Sequence, residues 1–524
     1  MKITAVAIKL NSVQEYIFHS NKLKENIGAN HITSIELFKK TMINLLRNMF
    51  PNKNELKVDV LKSHCGSVQI NGSGSKLKCE IGDIGGGGAL VFFKEEKIIN
   101  VKPKVDVFIE QFSREVLLKY PGLMLSFARL EDFNFQETKF KNSMKDLYIN
   151  LGKNKNQSYS NTTIFKHGIT ADCPYSNESQ EEYCHQEKKY LSNVSISKIN
   201  QVENSNSELN SIISDTSYVF TEKVDKLGQE MESSYIAVVH IDGNGMSKRF
   251  NEAESLPELR KLSYDVQKIA KEAMKKLINE NVIGNIPELK DENGNNVGDE
   301  RSICGIKLQR DGKNYILPIR PILGGGDDIT FVCEGRLGIY LAEKFVKHFT
   351  MDSNVIKGAC AGIAIVKTKF PFYKAYLLAE ELCHEAKQKS RIEPGSYISY
   401  YYSATTFSGS LKKLRERVHK IKKNNLYFGP YRIDGSLNKL KDGIAHFNNK
   451  EVFPKNKVMK LREVLIESDS AQQLFLKEIN EAGIKLPEEA NELWKNTERE
   501  EQSGMFTPFF DQIELMDFYP KELI

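Results

Sequence analysis

Two kinds of apolar pattern alternate along roughly the first 400 residues. Short, near-continuous apolar runs, Ala5-Val6-Ala7-Ile8-Lys9-Leu10 and Ile236-Ala237-Val238-Val239-His240-Ile241, read as strands buried inside a sheet. Longer stretches with apolar residues three or four apart predict helices over about 13–50, 97–119, 255–278, 336–350 and 371–389. Glycine-rich turns flanked by apolar residues, Ile84–Phe92 and Ile322–Val332, read as hairpins, and Leu123–Arg129 and Ala359–Val366 as closing strands. The order strand, helix, hairpin, helix, strand therefore occurs twice, and the spacing from Leu10 to Gly85 is close to that from Asp242 to Gly324. Such self-similarity marks a duplicated domain. Each copy predicts a ferredoxin-like sheet with helices on one face, a palm, in which the first strand lies beside the third.

The predicted class is α+β: a first palm over 1–152, a connector over 153–232, a second palm over 233–406 and a helical C-terminal domain over 407–524. The C-terminal prediction rests on amphipathic runs near 409–424, 455–467, 470–482 and 487–497. The connector segment LSNVSISKINQVENSNSELNSI is rich in Asn and Ser and reads as a link with some helix rather than core. KDENGNNVGDE at 290–300 reads as a turn-rich excursion.

Composition narrows this picture only a little. The 74 Lys and Arg against 69 Asp and Glu leave a net charge of +5, which argues against a uniformly basic nucleic-acid coat. No window approaches the ~18 uninterrupted apolar residues of a membrane span, and the N-terminus lacks the pattern of a secretory leader. The eight cysteines are scattered, several of them inside apolar patterns, which fits a reducing compartment. The expectation is a cytoplasmic chain without a membrane partner.

The chemistry concentrates at the second hairpin. Gly and Asp are both depleted in strands, so Gly324-Gly325-Gly326-Asp327-Asp328 between apolar runs needs another explanation. Glycines let a backbone approach a ligand closely, and adjacent carboxylates offer hard oxygen ligands to Mg2+ or Mn2+. Asp242-Gly243-Asn244-Gly245 at the end of the neighbouring predicted strand adds a third carboxylate and two more glycines. Asp242, Asp327 and Asp328 together predict a site for two metal ions about 4 Å apart, suited to attack of a hydroxyl on an α-phosphate. The same hairpin without its neighbour could be only a tight turn with a solvated acidic tip.

These residues resemble a known family, the large palm-domain subunit of type III CRISPR effector complexes. Four segments carry the resemblance: Val13-Gln14-Glu15-Tyr16-Ile17-Phe18 with Asn21–Lys24 and Gly28-Ala29; His240–Met246; Gly325–Asp328; and Lys369-Phe370-Pro371 leading to Ala386-Lys387. The resemblance implies a nucleotidyltransferase that makes a cyclic oligoadenylate-like second messenger from ATP. It also implies partner CRISPR subunits with guide RNA and target RNA, and Gly243, Asn244, Gly245, Gly325, Gly326 and Lys387 as nucleotide contacts. Many members begin with an HD nuclease domain; here the first palm starts at once and no His-Asp dipeptide occurs, so a form without it is expected. In the first palm, Leu10 stands opposite Asp242, and Gly88 and Ala89 opposite Asp327 and Asp328. That copy is expected to be degenerate, its Gly85–Gly88 backbone helping to hold a second nucleotide.

Members often bind zinc between the palms. His167, Cys173, Cys184 and His185 have suitable donors, but the irregular spacing and the adjacent Cys-His pair favour an ordinary polar loop. His240 shares the strand of Asp242 and reads as a core histidine, while Lys248 and Arg249 either reach a triphosphate or cover the start of a helix. Three alternatives share the same residues: a standalone two-palm cyclase, transfer of AMP to a non-nucleotide acceptor, and a nucleotide-binding assembly scaffold.

Overall fold

The computed structural model describes residues 2–58, 68–72, 74–95, 102–156, 168–176, 178–228, 234–287, 301–324, 326–352, 354–403, 409–496 and 504–524. The insertion predicted at 290–300 lies outside the described residues, apart from the preceding and following chain.

Two sheets repeat one topology. In the first, β1 (Lys2–Leu10), β2 (Cys79–Gly85), β3 (Gly88–Glu95) and β4 (Leu125–Leu130) lie in the order β2-β3-β1-β4, with Leu56–Lys57 pairing outside β2. In the second, β5 (Tyr235–Gly243), β6 (Ile319–Gly324), β7 (Asp328–Glu334) and β8 (Ala359–Lys367) lie in the order β6-β7-β5-β8. The first strand of each copy pairs antiparallel with the third, as the palm pattern requires. A strand that the apolar pattern did not single out, β9 (Tyr397–Tyr402), runs parallel to β8, and Tyr431–Arg432 closes that edge.

The helices are not confined to one face. The main ones are α1 (Val13–Phe18), α2 (Leu23–His31), α3 (Lys104–Lys119), α4 (Glu137–Lys155), α5 (Leu256–Lys276), α6 (Gly338–Phe349) and α7 (Phe372–Ile392). In the second palm, Ala237, Val239 and Ile241 share a core with α5 and α6, whereas Ile236 and Val238 share one with α7 and the first palm. In the first, Val6 and Ile8 pack toward α3, and Ala5 and Ala7 toward α4. The expectation of one covered face is thus corrected, and the reason is visible in the strands themselves. Continuous rather than alternating apolar runs demand cover on both sides. Cover is close at Gly362 in β8, where a Cβ would lie 1.9 Å from the Ala379 carbonyl oxygen of α7.

The palms dock through a shared core. Phe18 of α1 stacks on Tyr376 of α7 with ring centroids 3.7 Å apart. Arg260 of α5 enters the first palm, where Nε donates to the Gly82 carbonyl at 2.7 Å and Nη2 to the Ile81 carbonyl at 2.6 Å. The same guanidinium pairs with Glu80 at 3.0 Å, and both side chains are 0% exposed. Glu80 also accepts from the backbone N–H groups of Gln69 and Ile70, so the buried carboxylate is held from several directions.

Two readings of the polar regions change. The connector packs as core over helices Asn193–Ile199 and Val202–Asn210, because Leu191, Ile199 and Val202 among its Asn and Ser residues are buried. Lys198 Nζ donates to the Tyr16 carbonyl at 2.8 Å and so ties this segment to α1. In the C-terminal region, helices span Leu411–Val418, Ser436–Asn448, Lys455–Val464, Asp469–Glu481 and Phe509–Leu515. The run predicted over 409–424 instead breaks into the hairpin Lys420–Ile421 and Asn424–Asn425, with Lys422 at positive φ. The run over 487–497 is no α-helix, since Glu488 and Glu489 both have positive φ and Lys495–Asn496 is a strand. Among the described residues, no helix is long and apolar enough to cross a membrane.

Candidate active site between the two palms

The strand register builds the site. Asp242, near the end of β5, pairs directly with Asp328, the first residue of β7, and the turn before it presents Asp327. The Gly243 N–H donates to the Asp327 carbonyl at 3.0 Å, which fixes the turn against the strand end. A Cβ on Gly243 would lie only 3.2 Å from the Asp327 Cβ, so glycine keeps this approach open. Gly245, at φ 71, turns the chain into the helix Met246–Glu252.

Two groups hold the carboxylates from outside the turn. Lys387 Nζ of α7 forms an ion pair with Asp242 Oδ2. Gln14 Nε2 of α1 donates to Asp328 Oδ2 at 3.1 Å, across the boundary between the palms. Asp328 Oδ1 lies 3.4 Å from His240 Nδ1 and is buried without a hydrogen bond. Burial, then the charges of Asp242 and Asp328, push Asp327 up to about 6. Burial and Asp242 also raise Asp328, with His240 and Gln14 opposing. Burial pulls Lys387 down, but Asp242 outweighs it, and the ammonium is held above its ordinary value.

The carboxylates face a cleft of about 1240 Å3 lined by both palms. The second palm contributes Asp242, Gly324, Gly326, Asp327 and Asp328; the first contributes Asp83 and Gly85–Gly88 together with Lys9, Lys39 and Lys155. Gly243, Asn244, Gly245 and Lys387 are not among the lining residues. Asn244 Nδ2 donates instead to Ser390 Oγ at 2.9 Å and to the Gly395 carbonyl at 3.1 Å, anchoring the turn to the end of α7. Gly325 lies outside the described residues.

The ladder corrects the match between the palms. Leu10 N–H donates to the Gly87 carbonyl at 2.9 Å, as Gly243 N–H does to Asp327, and Asn11 N–H donates to Met124 as Asn244 N–H does to Gly358. Lys9 pairs with Gly88 as Asp242 pairs with Asp328. The counterparts of Asp242, Asp327 and Asp328 are therefore Lys9, Gly87 and Gly88, each one residue earlier than Leu10, Gly88 and Ala89. Four consecutive glycines set against three permit either alignment, and only the hydrogen bonds choose. The first palm has no carboxylate at these three positions, and a cation stands where Asp242 would be. Lys9 Nζ donates to the Gly86 carbonyl at 2.6 Å. Burial and then Lys155 lower its pKa, against the pull of Asp327 and Asp83.

Other candidates fall into place around this centre. His240 is buried and meets Thr330 Oγ1 at 3.1 Å, a core histidine that also backs Asp328. Lys248 is exposed beside Glu252, and Arg249 donates to the carbonyls of Asn354 and Val355. Cys173 and Cys184 are buried with Leu191 and Ile199, His185 lies edge-on to Tyr183, and His167 is outside the described residues. Tyr376 and Glu380, one helical turn apart on α7, line the cleft and were not singled out from sequence, although their spacing on a face that meets the sheet was legible. The Tyr376 hydroxyl is buried without a hydrogen-bond partner.

Among the described residues, no three His, Cys, Asp or Glu side chains gather closely enough to hold a metal ion as they stand. At the acidic centre Lys387 pairs with Asp242 and supplies a counter-charge. The donor chemistry nevertheless fits a hard divalent ion: Asp327 and Asp328 at the β6–β7 turn meet Asp242 at the end of β5, and Asp328 Oδ1 is a buried acceptor with no donor.

Fold and site together define a two-palm protein with one acidic centre. Residues 235–393 match the family described as Cas10/Cmr2, second palm domain. Among solved structures, this chain is similar to a Csm1-Csm4 cassette in complex with AMPPNP, at a TM-score of 0.50 and 11% identity over 91% of this chain and 64% of that one. It is similar in the same degree to Csm1 of T. onnurineus, at a TM-score of 0.50 and 11% identity over 92% and 64% of the two chains. This chain thus spans just under two thirds of those it resembles. No curated protein matches it. Residues 235–393 thus carry the match to the Cas10/Cmr2 second palm domain, within a chain whose fold is similar to that of Csm1.

Proposed function

We propose that this protein is a nucleotidyltransferase of the cyclic oligonucleotide synthase type, making an adenylate second messenger from ATP. The observation that carries the reading is the opposition of Asp242 and Asp328 on neighbouring strands, with Asp327 between them, at a cleft shared by two palms. Asp242, Asp327 and Asp328 would hold two Mg2+ or Mn2+ ions, which when bound lower the pKa of the attacking hydroxyl and neutralise the triphosphate. The chain's own part is positional. The shared core fixes the spacing of the two palms, and Gly324 and Gly326 leave the acidic turn open to a phosphate chain. Lys387, once Asp242 turns to a metal, is free to neutralise a phosphate. Lys9, Lys39 and Lys155 give the opposite wall the charge that suits a second anionic substrate.

The cassette similar to this chain holds AMPPNP, an ATP analogue, and contains Csm4, which supports ATP as substrate and a type III CRISPR complex as the setting; guide and target RNA are the partners that setting would bring. The test is mass spectrometry of the products formed from the four NTPs with Mn2+ or Mg2+, beside the Asp327→Ala/Asp328→Ala protein. A cyclic or linear oligoadenylate absent from the variant is expected. AMP joined to a non-nucleotide acceptor would keep the chemistry and change the product, and identical products from both proteins would refute the assignment.

A further inference from the structure

Gln14 belongs to the palm that has no carboxylate centre, yet its amide reaches the centre of the other. We infer that Gln14 is a positioning residue for the metal site: its amide donor orients Asp328, so the second palm's cation site is incomplete without the first palm. This inference rests on the metal site proposed above.

The geometry is specific. Asp328 has two carboxylate oxygens, and Gln14 Nε2 donates to Oδ2 at 3.1 Å. His240, a second polar neighbour, meets Thr330 Oγ1 through Nδ1 at 3.1 Å and lies 3.4 Å from Asp328 Oδ1. Oδ1 is left buried and without a hydrogen bond. A donor on one oxygen fixes the plane of a carboxylate and leaves the other oxygen to a cation, the part that outer-shell partners play around metal ligands.

Gln14 is itself held in place. Ser12, at φ 50, turns the chain sharply from β1 into α1. Two residues beyond Gln14 the Tyr16 carbonyl accepts from Lys198, and at the end of the same helix Phe18 stacks on Tyr376. The amide is thus carried on a short helix pinned to both the connector and α7. The side chain also lines the cleft, so the bond closes the corner where the palms meet the acidic turn.

The test is Mn2+ binding to the full chain, read by electron paramagnetic resonance beside a thermal melt. Gln14→Met keeps the length and bulk of the side chain and removes the donor. It is expected to weaken Mn2+ binding roughly 10- to 100-fold, the usual cost of losing an outer-shell partner, with the melting temperature unchanged. Gln14→Asn keeps the amide but falls one methylene short, and is expected to weaken binding by a similar factor. It carries the test should Gln14→Met melt early. Asn21→Ala removes a different contact between the palms, the acceptor for the Tyr373 N–H at 3.4 Å, and should leave Mn2+ binding as it was. Wild-type affinity in both Gln14 variants overturns the inference while leaving the metal site standing. Equal weakening in Asn21→Ala overturns it too, because palm docking in general would then be responsible. If the unaltered chain binds Mn2+ no better than Asp327→Ala/Asp328→Ala, this inference and the metal site fall together.

Discussion

The two palms share a topology and a ladder, and they differ in charge where it matters. In the second, β5 and β7 bring Asp242 and Asp328 face to face; in the first, the same rungs hold Lys9 and Gly88. The acidic palm gathers negative charge that burial makes costly, as the raised Asp327 and Asp328 record. The first palm buries charge of both signs, with Asp83 raised and Lys9 and Lys39 lowered by burial, and it supplies lysines, a glycine backbone and Gln14 to the shared cleft. Duplication followed by this divergence turns a repeated sheet into two unlike walls of one site.

The strongest way to break the comparison is at the acidic turn. Asp327→Ala with Asp328→Ala is expected to lower product formation by on the order of 10³-fold or more, because the charge stabilisation lost is several kcal/mol. Quantified product by mass spectrometry checks this, and retained turnover would show that the second palm does not differ in the way claimed.

Next comes the clamp that ties the walls together. Arg260→Met leaves the buried Glu80 carboxyl without its guanidinium, which should cost about 3–5 kcal/mol of stability. Urea denaturation measures it. A loss below about 1 kcal/mol would mean that Lys57, 3.4 Å from Glu80, suffices as counter-ion.

A smaller effect sharpens the contrast from the other side. Gly87 has φ +69, and a Cβ there would lie 2.9 Å from Val13 Cγ2. Gly87→Asp should therefore destabilise the chain by about 1–3 kcal/mol, and adding Lys9→Asp should not create a second Mn2+ site. Melting and Mn2+ titration read the two halves of this expectation.

The smallest effect is graded with pH. Asp327 is raised to about 6, and a metal must displace its proton, so Mn2+ affinity should fall up to about tenfold per pH unit below that value. The same shift fixes the sign for the metal-free chain. Between the ordinary carboxylate pKa and about 6 the folded state binds the Asp327 proton more tightly than the unfolded one. This group's stabilising share is therefore present at the acid end of that window and is lost as pH rises through it. Asp327→Ala/Asp328→Ala should melt higher than the unaltered chain at pH 8 without metal, and a lower melt would contradict the burial of the pair.

Much of this was legible in the chain. The strands at Ala5–Leu10 and Ile236–Ile241, the glycine hairpins and the helices Gly338–Phe349 and Phe372–Ile392 lie where the apolar spacing put them, because long, strongly patterned segments carry their own preference; the helix expected over 97–119 begins at Lys104, and 97–101 lie outside the described residues. Continuous apolar strands already implied cover on both faces, although the palm analogy pointed to one. Patterning failed where backbone conformation overrode it, as at Glu488 and Glu489, and where a few apolar residues in a polar stretch were enough to dock the connector.

By itself, the sequence determined the duplication, the two sheets and the presence of acidic residues at the turn of only one hairpin, since periodicity and residue type are local properties. Tertiary structure decided the rest. It chose Lys9 rather than Leu10 as the partner of Asp242, because only a ladder of hydrogen bonds can count residues through a run of glycines. It also set Lys387 against Asp242 and Gln14 against Asp328, pairings that no spacing along the chain encodes because the contacting residues are 145 and 314 positions apart.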